Sequence, residues 1–163
     1  MKKKLSKGIT ALMLVFLLLP LKVHASGPAE EPEIAEMTEE EAAYYLRLCE
    51  TGAGSLMRGI FTNVNLHVLK DDGQLMVVCA TNTSEIASEL GTKQLILDVK
   101  NGIFWIPVAT LEKASRTNAR SHSGGFYYKN PTSGSTYRAT GIHFAIINGK
   151  EYTAYAESGT ITY

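Results

Sequence analysis

Cys49, Cys79, His67, His122 and His143 have the widest chemical reach in this chain once its first 25 residues are set aside, and their spacing limits what they can do. A zinc site draws three or four ligands, usually with two of them close in sequence. No two of these histidines stand at ligand spacing, and there is no His-Glu-x-x-His or Cys-x-x-Cys. No metal is expected, and His143 reads as a hydrogen-bonded core residue. Nothing beside either cysteine in sequence would lower a thiol pKa, so neither reads as a nucleophile. A Ser-His-Asp triad can be drawn through any chain with sixteen carboxylates and many serines, but no serine lies in a Gly-x-Ser-x-Gly elbow. Paired carboxylates for glycosidic chemistry would need facing strands, whereas most acids here fall in the leader-proximal stretch or in turns. Asp71-Asp72-Gly73 lacks the alternating ligands and closing Glu of a calcium loop and reads as a turn. Asn82-Thr83-Ser84 fits a glycosylation sequon formally and reads as a polar corner.

Aromatic side chains offer a different chemistry. Eight Tyr, five Phe and one Trp are present. Exposed rings of the Trp105, Tyr127 and Tyr155 kind make flat apolar faces against which a sugar ring can stack; the plainer reading is that they fill the core and its rim.

These residues need elements to position them, and the N-terminus comes first. "MKKKLSKGITALMLVFLLLPLKVHASG" sets lysines before an apolar run from Ile9 to Leu21, then Val23-His24-Ala25, the pattern of a secretory signal peptide over residues 1–25. The run is shorter than the roughly 20 residues a membrane span needs. The expectation is a secreted, extracellular protein with no integral membrane segment after cleavage. Removing Lys2, Lys3, Lys4, Lys7 and Lys22 leaves 11 basic against 16 acidic residues. Residues 26–50 carry eight Glu against Arg47, while residues 51–163 are close to neutral. No basic stripe exists for a phosphate backbone, so no nucleic-acid partner is expected. The cysteine count permits a Cys49–Cys79 disulfide in an exported chain; two small buried hydrophobes are the alternative, and spacing does not choose.

Residues 26–37 read as an acidic flexible linker and 38–58 as a short helix with its connection. Thr38 and Glu41 form a capping-box pattern, and Ala42, Tyr45, Leu46 and Cys49 share one face. Residues 59–163 read as one all-β domain. Strands are expected at 59–69, 74–81, 92–100, 103–111 and 124–129, with a helical turn at 84–91 and a polar loop after Leu111. The last two strands meet at Asn148-Gly149, whose two-residue turn pairs Ile147 with Lys150, Ala145 with Tyr152 and His143 with Ala154. About seven short antiparallel strands point to an immunoglobulin/fibronectin-III-like β-sandwich, in which Tyr137 takes the tyrosine-corner position. Pro107 places its strand at an edge.

"LGTKQLILDVKNGIFWIPV", "SGSTYRATGIHFA" and "NGKEYTAYAES" together resemble an uncharacterised family of small secreted bacterial proteins, a domain of unknown function. The resemblance covers roughly residues 59–163 and rests on Leu90-Gly91, Trp105, and Gly134 with Tyr137, Arg138 and Ala139. It implies a β-sandwich and brings no catalytic, cofactor or ligand residue.

The expectation is a non-catalytic secreted protein without cofactor that binds an unknown protein or glycan. A glycan-binding module using Trp105, Tyr127 and Tyr155 is the first alternative, and a small secreted hydrolase the second. Ile142, Phe144, Ile146 and Tyr155 form a side of the last hairpin too apolar to stand bare. The helix is expected to cover it; a face-switching bulge at Gly141, or use of the patch for binding, would also account for it.

Overall fold

The computed structural model describes residues 34–49 and 59–163. The expected signal peptide, the first part of the linker and the connection at 50–58 lie outside the described residues. These described residues form one compact unit.

Among the described residues there are seven antiparallel strands and one helix: β1 (Ile34–Glu36), α1 (Glu39–Cys49), β2 (Phe61–Asp71), β3 (Gln74–Asn101), β4 (Phe104–Lys129), β5 (Thr136–Ile147), β6 (Lys150–Glu157) and β7 (Ile161–Thr162). They belong to a single sheet with the order β1-β4-β3-β5-β6, with β2 added on β3 and β7 on β5. An immunoglobulin-like sandwich keeps two separate sheets; here hydrogen bonding links all seven strands, five along one path with β2 and β7 as branches.

The long β3–β4 hairpin is what joins them. Each of these strands replaces two expected short ones. Residues 84–91, expected as a helical turn, continue β3, because Ala87 and Leu90 are needed in the core and Gly91 pairs with a strand on either side. A Cβ on Gly91 would stand 2.1 Å from the Ala114 carbonyl oxygen, so only glycine lets β3 and β4 approach this closely. The polar stretch after Leu111 is likewise part of β4. It is polar because most of its side chains face solvent, not because its backbone is irregular.

Register breaks between Asn82 and Ala87, where four residues of β3 oppose one of β4. Such a bulge bends a strand, and the two halves of β3 then face each other. Leu75, Val77 and Cys79 of the first half share one core with Leu95 and Leu97 of the second, closed by Leu66 and Val68, Phe126, and Tyr137 and Ala139. β5 sends Tyr137, Ala139, His143, Ala145 and Ile147 inward at alternate positions, as the Asn148-Gly149 register requires. The Tyr137 hydroxyl accepts the Thr132 backbone N–H at 2.8 Å and anchors the loop before β5.

Ile34–Glu36, in the stretch expected as a flexible linker, form a strand paired with Phe126, Tyr127 and Tyr128. The capping box forms: the Thr38 N–H donates to Glu41 Oε2 at 2.8 Å, and the Glu41 N–H donates to Thr38 Oγ1 at 3.2 Å. The helix does not cover the last hairpin. Ala42 and Leu46, with Met37, pack on Met76, Val78 and Ala80, the outward-facing residues of the first half of β3. Phe144 is instead buried under the stems of Lys93 and Lys113, whose ammonium groups lie 5.8 and 5.2 Å from its ring centre. Gly141 carries no face switch, since Gly141 and His143 are both buried.

Both cysteines are free. Cys79 alternates with Val78 along β3, so it points into the core while the helix sits on the opposite face. The strand itself lies between Cys79 and Cys49, which opposes the bridge the cysteine count allowed.

Candidate functional site

The buried polar cluster contains the classical nucleophile and base types. Thr81 Oγ1 donates to the Gly91 carbonyl at 3.0 Å. With its one proton given away, it must accept the Nδ1–H of His143, 2.7 Å distant. That fixes the tautomer and leaves His143 Nε2 as a bare lone pair with no partner among the described residues. Burial holds the His143 pKa down at about 4. Cys79 lies 3.2 Å from Thr92 Oγ1 and donates to the Gly124 carbonyl, and burial pushes its thiol up to about 11. Cys79 and His143 are thus both neutral at physiological pH and sealed in the core. They link the first half of β3 to its second half and to β5.

His67 is half-buried, with its pKa lowered by burial. His122 sits at the bend of β4, 3.8 Å from Glu39, with its pKa lowered by burial more than Glu39 raises it. Among the described residues no group of three or more His, Cys, Asp or Glu is placed to hold a metal ion. No described helix is long and apolar enough to cross a membrane.

Of the three aromatics singled out, two come together and one does not. Tyr127 lies under α1, its ring edge-on to Tyr45 at 6.4 Å and its hydroxyl donating to Glu41 at 3.4 Å. Burial, then the Tyr45 hydrogen bond, push it up to about 12. It belongs to the helix contact. Trp105 and Tyr155, by contrast, share the outer face built from the second half of β3 with β4, β5 and β6. Arg138 joins them: its guanidinium lies 4.4 Å from the Trp105 ring centre, 2.8 Å from Glu157 and 3.4 Å from Asp98. Tyr155 is 60 % exposed and its hydroxyl donates to Glu157 at 3.4 Å.

Next to this cluster is the end of the β3–β4 hairpin. The two-residue loop is Gly102-Ile103, one residue later than the gap at 101–102 between the expected strands 92–100 and 103–111, with Asn101 paired to Phe104. Gly102 takes a φ of +60°, as the first position of a type II′ loop requires. The shift of one residue puts Ile103 on the turn itself, 86 % exposed, followed by Phe104 at 68 % and Ile106 at 43 %. The expected strand at 103–111 makes "IFWIPV" an ordinary strand, which the turn position of Ile103 corrects. The signal was there: four apolar residues in a row immediately after a turn break the alternation of a half-buried strand. Arg138, Asp98 and Glu157 carried no such signal, because only the β3–β5 and β5–β6 pairings bring them together.

A separate apolar recess of about 460 Å³ opens between α1 and the β2–β3 turn, lined by Tyr44, Tyr45, Leu48, Leu69 and Met76. Comparison with protein-family models, curated proteins and solved structures finds no match to this chain.

Proposed function

We propose that this chain is an exported, non-catalytic binding protein that meets its partner through the end of the β3–β4 hairpin and the adjoining Trp105–Arg138–Tyr155 face. One observation carries the reading. Of the large apolar side chains left exposed among the described residues, Ile103, Phe104 and Ile106 fall within four consecutive positions at the end of the longest hairpin. Clustered exposed apolar surface marks interaction sites in soluble proteins. The leader pattern of residues 1–25 supports export, and the sealed, neutral state of Cys79 and His143 argues against their use in a hydrolase. The Tyr137 corner supports kinship with immunoglobulin-like sandwiches and with the secreted family that the chain resembles; the single continuous sheet departs from that class.

Sedimentation with isolated bacterial cell envelopes tests the reading. The chain of residues 26–163 should sediment, and Phe104→Ser with Ile106→Ser should stay in solution. Equal sedimentation of the two proteins would refute the assigned surface. Glycan recognition is the second reading, favoured by exposed Tyr155 flanked by Glu157 and Arg138. A heat-shift screen against cell-wall and plant glycans addresses it, since ligand at a hundredfold excess over Kd stabilises by about 2.7 kcal/mol.

A further inference from the structure

The β4 arm at the end of the β3–β4 hairpin carries apolar side chains on both faces. Neighbouring residues of a strand point to opposite faces. Phe104 is paired with Asn101 and Ile106 with Val99, on the side of the inner core, whereas Trp105 is paired with Lys100 on the outer face. Phe104 and Ile106 therefore extend the inner face past the rim of the core, Trp105 occupies the other face, and Ile103 fills the turn between them. A strand made to lie flat on another protein would be apolar on one face and polar on the other. A wedge with apolar side chains on both faces and at its point suits a medium that is apolar in every direction.

Backbone chemistry at the same place disfavours a protein strand as occupant. Pro107 has no N–H to give to an added strand. Val108 is an extra residue between the pairs Asp98–Pro107 and Leu97–Ala109, and such a bulge blunts an edge. The charges point the same way. Between residues 99 and 108 the one ionised side chain is Lys100, and the acidic groups beside this face, Asp98 and Glu157, are ion-paired to Arg138. Lys100 shares its pair with Trp105, a side chain suited by its amphipathic ring to the water–lipid boundary.

We propose that the hairpin end is a membrane-surface anchor, with Ile103 and Phe104 entering the acyl boundary of a phospholipid bilayer, Trp105 and Ile106 behind them at headgroup level, and Lys100 against lipid phosphate. The anchor rests on the binding surface assigned above and gives its partner a chemical class. Insertion is shallow, confined to the residues beyond the last β3–β5 pair, Val99 with Tyr137.

Trp105 is the one tryptophan of the chain, so its emission reports this site alone. The chain of residues 26–163 is mixed with vesicles of phosphatidylcholine and phosphatidylglycerol, with and without brominated acyl chains. The expected result is a blue shift of Trp105 emission, quenched by the brominated lipid. Ile103→Ser with Phe104→Ser should weaken vesicle partition by about tenfold or more. Lys100→Glu, which leaves the apolar wedge intact, should weaken partition into phosphatidylglycerol-containing vesicles by several-fold, about tenfold at most, and leave phosphatidylcholine alone little changed. Absence of quenching in the wild type, or equal quenching in all three proteins, overturns the anchor. If lipid is ignored while envelopes still capture the wild type and not Phe104→Ser with Ile106→Ser, the anchor falls and the binding reading stands. A lipid-blind wild type that forms a dimer broken by Ile103→Ser assigns the wedge to a second copy and also overturns the anchor.

Discussion

Lowering the pH from 7 to 4 should cost the folded domain about 3 kcal/mol through His143 alone. The ring is fully buried, its Nδ1–H bound to Thr81 and its Nε2 without an acceptor among the described residues, so a second proton would be placed in the core with nothing to receive its hydrogen bond. Burial sets the folded pKa at about 4, against the ordinary histidine value of 6.5. Between these values the unfolded chain holds a proton that the folded chain does not. Stability therefore rises with pH across the window, is complete above about 6.5, and is lost as pH falls toward about 4. Two and a half pKa units at about 1.4 kcal/mol each give about 3.5 kcal/mol for complete titration, of which about 3 kcal/mol is lost by pH 4, where the folded ring is half-protonated. His67 and His122, also lowered by burial, add to the slope in the same direction. Carboxylates titrate in the same range, so the test is a comparison. Urea midpoints for wild type and His143→Gln are measured at steps from about pH 7.5 to about pH 4, where the glutamine keeps a neutral polar side chain that does not titrate. The stability difference between the two proteins should shrink by about 3 kcal/mol as the pH falls. A constant difference across the series would refute the assignment of a buried, neutral His143.

Tyr137→Phe leaves the Thr132 N–H without its acceptor and should cost about 1–2 kcal/mol, read as a lower urea midpoint at unchanged slope. Leu46→Ala should destabilise by about 2–4 kcal/mol and raise hydrophobic-dye binding, because Met76 and Val78 lose their cover; deletion of residues 27–50 should do the same more strongly while Phe144 stays protected by Lys93 and Lys113. Thiol titration should find Cys79 unreactive in the folded protein and both cysteines reactive after denaturation, with no change in Tm on adding reductant.

Local chemistry was legible in the sequence wherever a single residue type enforces it. Asn148-Gly149 set the last turn, and with it the inward row Tyr137, Ala139, His143 and Ala145, because a two-residue loop leaves one register and a one-residue slip would put His143 in water. Thr38 and Glu41 marked the start of α1, since the capping box closes within four residues. What the sequence could not decide was every contact set by the bend of β3. Strand patterning says which residues share a face, but not which half of a 28-residue strand that face will meet. The bulge at 82–87 folds β3 back on itself, so Cys79 joins Leu95 and Leu97 in one core and is turned away from the helix that carries Cys49. The same fold spends the apolar stripe of α1 on Met76 and Val78, leaving Phe144 to be covered by lysine stems from β3 and β4. Trp105, Arg138 and Tyr155 became neighbours for a second reason. They lie on β4, β5 and β6, and only the lateral order of strands across the sheet brings their side chains onto one face.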